Sequence, residues 1–300
     1  MKTIMAGQYI PLRSKIESGL AIYRAHRRGD FSNASHDIAY HRELIGYLEK
    51  YTGTAVNAAR ILDLGCGQTA TQTALFHADG AKVTGIDVEV PTFAFGLGTF
   101  VRTLRLNGPE RALKSLARHV LFDARFFGDL SKNYGREVSF KNLDVRVMDA
   151  SAMEFHDSTF DFVASMAVFE HISDVPGALR ELNRVLRPGG IAVITPHLFP
   201  SLSGGHCLEW LSPDLKAAPN VEPWDHLRKN EHPAGAYMNR MKLKEYRDHF
   251  RSALDVVEEK ITTEGERYLT PELEAELTAK GYTREDLLTR TITFFARKKA

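Results

Sequence analysis

The sequence predicts an α/β fold, a parallel sheet covered by helices on both faces. Three observations carry that expectation. Apolar strand-like runs alternate with amphipathic stretches from Arg60 to Thr195, the order that builds βαβ units. A glycine-rich turn joins the first of these runs to its helix, as nucleotide-binding sheets of this class require. Two further strand-like runs close the chain, and a late pair of this kind often forms an antiparallel edge on an otherwise parallel sheet.

The elements follow in order. Residues 13–52 are expected to be helical. Ile16, Leu20, Ile22 and Tyr23 suit a first helix, and Ile38, Leu44, Ile45, Tyr47 and Leu48 repeat at helical spacing within Ser35–Tyr51. Turn residues in "RGDFSNAS" separate the two. Arg60–Leu64 is a buried strand and Thr69–His77 a helix, for which Thr69-Ala-Thr-Gln72 supplies a capping-box pattern. Strands are expected at Lys82–Ile86, Val145–Met148, Phe160–Ser165 and Ile191–Thr195. The amphipathic helix Val175–Leu186 precedes the last of these, and "RPGG" (Arg187–Gly190) ends it with a proline and a glycine pair. Leu254–Ile261 and Thr291–Arg297 are the late strands, with a helix over Pro271–Lys280 between them. Two long stretches interrupt the alternation. Pro91–Val138 has little strand character and reads as a helical insertion. Pro196–Asn239 is rich in Pro, Gly, His and Trp, and loops of that length in a compact domain are usually functional. The organisation expected is one domain over 1–300, with an N-terminal helical cap at 1–58, a helical insertion at 91–140 and a substrate-side insertion at 196–240.

Composition bounds the partners. The 300 residues are 43% hydrophobic and 26% charged, with 39 Lys and Arg against 38 Asp and Glu. That balance gives no footprint for nucleic acid. "RAHRR" (Arg24–Arg28) and "RKK" (Arg297–Lys299) are short enough to be solvated charge. Two cysteines, Cys66 and Cys207, exclude a disulfide framework and suit a reducing compartment. The N-terminal residues hold no apolar core of signal-peptide length, and no run approaches the ~20 apolar residues of a membrane span. The expectation is a cytoplasmic protein with a small-molecule partner and neither nucleic acid nor membrane as partner. Oligomeric state stays open, a homodimer included.

The turn "ILDLGCGQTATQ" (Ile61–Gln72) carries the first functional signal. Gly65 and Gly67 allow unusual backbone angles and close ligand approach, and a nucleotide-type ligand can lie against amides at a helix N-terminus. Read as G-x-G-x-x-A the turn suits a dinucleotide; read as D-x-G-x-G it suits another adenosine cofactor. Asp87, about twenty residues on at the end of the second strand, can accept hydrogen bonds from ribose hydroxyls in either case. Asp63 separates the readings: a carboxylate there repels a pyrophosphate and attracts a cationic amino-acid group. Asp149, after the third strand, stands where an adenine amino group could be held.

"ILDLGCG", "GIDVE", "VMDASAMEF", "FDFVASMAVFEHI" and "LRELNRVLRPGGIAVIT", in that order, resemble the class I S-adenosylmethionine-dependent methyltransferases of small-molecule type, the methyltransferase type 11 group. The resemblance covers about Arg60 to Thr195 without the insertion. It implies a Rossmann-like doubly wound seven-stranded sheet, mostly parallel with an antiparallel C-terminal hairpin, and S-adenosylmethionine as cofactor. It also implies site residues. Asp63, Gly65 and Gly67, with Cys66 between the glycines, would cradle the methionine part. Asp87, with Val88 beside it, would hold the ribose. Asp149 and the Ala150 backbone would hold adenine, and Met166 and Ala167 would line the sulfonium. Thr69 replaces a third glycine, and the insertion after the second strand is longer than in many relatives.

Methyl transfer needs alignment of acceptor, methyl and sulfur and, for a weakly acidic acceptor, removal of a proton. Glu170 and His171 follow the fourth strand directly and are candidates for that work. His197, His206, His226 and His232 crowd the second insertion with Trp210 and Trp224. Histidine titrates near neutrality and aromatic rings can stack on a sugar or planar acceptor, so a substrate lid with an acting His206 or His226 is expected. The histidine spacing matches no compact zinc pattern, and no metal is expected. Phe31, Tyr40 and His41 are candidates for an N-terminal lid over the cofactor. The acceptor expected is a hydroxyl oxygen, of a sugar or another metabolite. The alternatives are nitrogen or sulfur of an amino-acid-like acceptor, or cofactor binding without catalysis.

Overall fold

The computed structural model describes residues 34–93, 96–206 and 221–299, with Leu20 and Trp210. The expected first helix, Phe31 and Cys207 lie outside the described residues. The elements are α1 (Ala34–Thr52), β1 (Arg60–Leu64), α2 (Thr71–Ala78), β2 (Lys82–Asp87), α3 (Leu97–Asn107), α4 (Pro109–Arg118), α5 (Ala124–Tyr134), β3 (Asp144–Val147), β4 (Phe160–Met166), α6 (Val175–Val185), β5 (Leu186–Thr195), α7 (Leu243–Ala253), β6 (Asp255–Thr263), α8 (Pro271–Ala279), α9 (Arg284–Leu288) and β7 (Thr289–Arg297). The strands form one seven-stranded sheet in the order β3-β2-β1-β4-β5-β7-β6. β1 through β5 pair in parallel, and β7 runs antiparallel to both β5 and β6. The expected fold class is thus observed, down to the C-terminal antiparallel pair.

Two buried clusters occupy the two faces, and the period-two alternation of side chains sorts residues between them. Leu62, Val163, Ala192, Ile194, Phe294 and Ala296 meet α6 and α7 on one face. Ile61, Phe162, Ala164, Ile191, Val193 and Phe295 meet α1 and α2 on the other, through Leu44, Leu48 and Phe76. On the first face the rings of Phe250 and Phe294 stack at 3.9 Å.

Three sequence expectations are corrected. "RPGG" does not merely end a helix: α6 stops at Val185 and β5 already begins at Leu186. The Arg187 guanidinium pairs with buried Asp161, which also accepts the Arg60 amide, so this turn is held as an extension of the sheet. The described part of the N-terminal segment, α1, packs on the sheet face through Leu44 and Leu48 and does not cover the cofactor side. His41 is fully buried behind α2, where Nε2 bonds Asp79 at 2.8 Å and the ring meets Phe76 edge-on. It is a core histidine, not part of a lid.

The segment between β2 and β3 holds α3, α4 and α5, with a π-helical turn at His119–Asp123 between α4 and α5. It is tied to the glycine turn. The Gln68 side chain donates to Ser115 on α4 at 3.1 Å, the Thr92 amide donates to the Gln68 carbonyl at 2.8 Å, and Arg111 pairs with Glu89.

Candidate active site

In the β1–α2 turn Gly65 and Gly67 take φ of +77° and +67°. A Cβ on Gly65 would lie 2.2 Å from the Val168 side chain, so only glycine lets the end of β1 pass the turn after β4. The Gly65 and Cys66 amides donate to the Ile86 carbonyl at 2.8 and 3.1 Å, and the Gly67 amide donates to Asp87 Oδ2 at 2.9 Å. These are the donors that a pyrophosphate would require, and β2 already engages them. The capping box expected at Thr69 does not form. Helix α2 starts two residues later, behind a left-handed Ala70 without a side-chain cap. Gln72 turns instead to α1, donating to the Asp37 carbonyl at 3.0 Å and contacting His41 Nδ1 at 3.2 Å.

The carboxyl ends of β1, β2, β3 and β4 enclose a cavity of about 180 Å³. It sits where strand order reverses, between β1 and β4, the crevice in which sheets of this class bind ligands. Gly65, Asp87, Val88, Asp149 and Ala150 line it as expected, joined by Leu64, Ile86, Met148, Ser151, Val168, His171 and Ile172–Asp174. Neither Lys nor Arg is in the lining. Asp87 Oδ1 accepts the Glu89 amide at 2.8 Å, and burial raises the acid's pKa. Asp149 Oδ1 accepts from both the amide and the hydroxyl of Ser151, at 2.8 and 2.7 Å.

Other expected cofactor residues stand behind the lining. Asp63 is buried under the turn, where Thr73 Oγ1 donates to it at 2.6 Å. Burial and the nearby charge of Asp87 push its pKa up to about 6, against the Thr73 hydrogen bonds. Cys66 packs against Gly85, and burial raises its thiol pKa well above the ordinary range. Met166 and Ala167 do not line the cavity. Ala167 takes φ +53° and donates its amide to the Thr195 carbonyl at 2.8 Å, so the chain turns and presents Val168. That turn depends on β5, which is why no local pattern announced Val168.

A polar cluster adjoins the cavity. Glu170 and His171 lie on a 3-10 turn after β4. His171 Nδ1 meets the Tyr237 carbonyl at 2.8 Å. A carbonyl only accepts, so Nδ1 carries the proton and Nε2 the lone pair. Glu170 is completely buried, and neither of its carboxylate oxygens has a hydrogen-bond partner among the described residues. Burial pushes its pKa up to about 8, and the amides of Glu170 and His197, near the carboxylate but outside hydrogen-bond geometry, offset this only in part. His206 stacks on His197 at 5.1 Å and meets His171 edge-on at 5.2 Å. Burial and neighbouring histidines push His197 down to about 3 and His206 down to about 4, so both are neutral imidazoles at pH 7. His226 spends Nε2 on the Phe199 carbonyl at 2.8 Å and fills the space a Cβ on Gly205 would need. It props the segment that carries His206. The two tryptophans are not a stacking platform. Trp224 is fully buried and donates to the Pro200 carbonyl at 3.1 Å, and Trp210 packs on Tyr268 at 5.0 Å. His232 stands apart, 3.6 Å from Asp225 Oδ2.

Comparison with known proteins converges on this geometry. A family model described as a methyltransferase domain matches residues 106–194, from the helical insertion into β5. Over these residues the chain is similar to class I S-adenosylmethionine-dependent methyltransferases. Among curated relatives, an uncharacterized protein YafE of Escherichia coli K12 is 40% identical over 60 residues, 20% of this chain and 29% of the relative. A ubiquinone biosynthesis O-methyltransferase of Methylocella silvestris is 27% identical over 143 residues, 48% of this chain and 41% of the relative. A demethylmenaquinone methyltransferase of Staphylococcus aureus is 35% identical over 79 residues, 25% of this chain and 33% of the relative. The chain thus spans less than half the length of these curated relatives.

S-adenosylmethionine is the family's methyl donor, and the cavity suits it on physical grounds. The lining offers carboxylates without a cationic residue, apolar walls at Ile86, Val88, Met148 and Ala150, and no amide left over for a phosphate in the Gly65–Gly67 turn. A cationic adenosine ligand fits such a surface and a dinucleotide does not. In such a fit Asp87 would meet the ribose hydroxyls and the Asp149–Ala150 segment the adenine. The charges of Asp63 and Asp87 would favour the positive methionine end.

Proposed function

We propose that this methyltransferase moves a methyl group from S-adenosylmethionine to a hydroxyl oxygen of a small-molecule acceptor, with His171 as general base. The observation that carries the reading is the orientation of His171. Its Nδ1–H is held by the Tyr237 carbonyl, and the ring forms part of the cavity wall, so the basic Nε2 is available at the site. S-adenosylmethionine, when bound, supplies an electrophilic methyl on a sulfonium. His171 Nε2 takes the proton from the acceptor hydroxyl, and the Tyr237 carbonyl then steadies the imidazolium. His206 meets the His171 ring edge-on at 5.2 Å and so helps hold its orientation. His226 positions His206 through the Gly205 contact. The O-methyltransferase among the relatives agrees with an oxygen acceptor, whereas the burial of Trp224 removes the aromatic platform that would favour a sugar.

The test is His171→Asn assayed with labelled S-adenosylmethionine against hydroxylated, amine and thiol acceptors. Asn is expected to keep the hydrogen bond to Tyr237 but not the base. Turnover of the hydroxyl acceptor should fall by roughly 10²-fold or more, as for loss of a general base. Affinity for S-adenosylhomocysteine should change less than about threefold. An equal loss of affinity would make His171 a binding residue. Undiminished turnover on a thiol, which needs no strong base, would replace oxygen by sulfur as the acceptor atom.

A further inference from the structure

We propose that Glu170, His197 and His206 form a binding site for one divalent first-row transition ion of the zinc class. One ligand atom from each residue lies within 4.8 Å of the other two. Tetrahedral zinc–ligand bonds of ~2.0–2.2 Å place ligand atoms of one ion ~3.3–3.6 Å apart, so a contraction of at most about 1.5 Å closes the site. The donors come from the carboxyl ends of two central, adjacent strands, Glu170 after β4 and both histidines after β5.

The hydrogen-bond inventory points the same way. Both oxygens of Glu170 and Nε2 of His206 are buried without a partner among the described residues. A buried unpaired polar group costs about 1–3 kcal/mol, more when charged. Three such atoms facing one space are an unexplained expense unless something satisfies them. A cation does so for all three at once, which a hydroxyl or a water does less completely.

His197 carries the expected outer support. Ser203 Oγ donates to Glu264 Oε1 at 2.6 Å, which uses its single proton. The 2.8 Å contact of Ser203 with His197 Nε2 is therefore an N–H donated by the ring. That tautomer leaves the Nδ1 lone pair for a metal. A ligating histidine whose other nitrogen donates to a hydroxyl or carboxylate is the usual arrangement around protein-bound zinc.

Two imidazoles and one carboxylate favour zinc, manganese, iron or cobalt over the oxygen-seeking magnesium and calcium. Three protein ligands would also leave a position open. A second acid–histidine group, Asp225–Glu231–His232, lacks this character. Asp225 already accepts the amides of Glu231 and His232, at 3.2 and 2.9 Å, and Glu231 is exposed.

The test uses the full chain without a histidine tag, stripped with a chelator and dialysed. Zn²⁺ alone is titrated by calorimetry and Co²⁺ by its visible ligand-field absorption. One equivalent should bind. Glu170→Gln and His206→Ala should each weaken binding by more than the ~10–100-fold that even outer-shell partners cost, and the Co²⁺ spectrum should vanish. His232→Ala should bind as the unaltered chain does. Should Glu170→Gln fail to unfold cooperatively, His206→Ala carries the comparison. The site is overturned if no stoichiometric ion binds, if both variants bind normally, or if only His232→Ala loses the ion. None of these readouts depends on methyl transfer.

Discussion

Asp63 shows how one residue can serve the ligand at the expense of the fold. Its carboxyl is 5% exposed and its folded pKa is raised from 3.8 to about 6. For an acid raised in this way the folded state holds the proton more tightly than the unfolded chain. The stability it contributes is complete below pH 4 and is lost as pH rises through 6. A shift of about 2 units corresponds to roughly 3 kcal/mol. Asp63→Asn keeps an acceptor for Thr73 and removes the charge. Urea unfolding of the ligand-free protein between pH 4 and 7 should show stability falling more steeply for the natural chain than for the variant. Parallel curves would place the titrating group elsewhere. The same charge is what a sulfonium or ammonium group would neutralise. Residue identity was legible here: Asp63, Asp87 and Asp149 were picked out by type and position. That Asp63 sits behind the lining, propped by Thr73, was not, because it depends on how α2 lies against β1.

At the scale of elements, the same local pattern had two fates. Thr69-Ala-Thr-Gln72 promises a capping box and forms none, because Gln72 is drawn to Asp37 and His41 of α1. Thr283 and Asp286 form such a box at the start of α9, each side chain meeting the other's backbone at 3.0 Å. Local caps compete with tertiary partners: Asp286 serves both, accepting the Leu243 amide on Oδ1 at 3.2 Å and the Thr283 amide on Oδ2, whereas Gln72 is drawn away whole. Strand β5 gives the matching lesson for "RPGG". Gly190 is needed less as a helix stop than for room beside β4. A Cβ there would lie 2.9 Å from the Asp161 carbonyl and 3.1 Å from those of Phe160 and Arg187. Those are backbone atoms at the irregular pairing between β4 and β5, so they cannot turn aside. Gly190→Ala should destabilise the protein by about 1–3 kcal/mol, the range for overpacking, read as a lower urea midpoint at unchanged slope. An unchanged midpoint would mean that the pairing can relax.

At the scale of the whole molecule, one sheet with two buried faces supports a single cooperative unit whose ligand crevice lies at one end. No helix among the described residues is long and apolar enough to cross a membrane. A ligand that binds only the folded state stabilises it by about 2.7 kcal/mol at 100 times its dissociation constant. S-adenosylhomocysteine at that excess should raise the melting temperature by roughly 4 °C for a domain of this size. Asp87→Ala should weaken binding more than tenfold, which is at least about 1.4 kcal/mol, and shrink the shift accordingly. Excess NAD should give no shift, because the turn amides it needs are engaged by Ile86 and Asp87. A larger shift with NAD would reverse the choice of cofactor.

By itself the sequence determined the class of fold, the order of its strands along the chain, the glycine turn and the acids around it. These are set by period, by glycine's access to positive φ and by charge, all of which act over a few residues. Tertiary structure alone decided which of those residues touch the cavity, because strand ends from β1 to β4 meet only once the sheet closes. It also decided the fate of the histidines. In the sequence His171, His206 and His226 are candidates for the base and His197 is only their neighbour in the insertion. Folding turns His171 into a wall of the cavity and His226 into a prop. His197 and His206 are placed beside Glu170, a residue whose buried, unpaired oxygens no spacing rule could reveal.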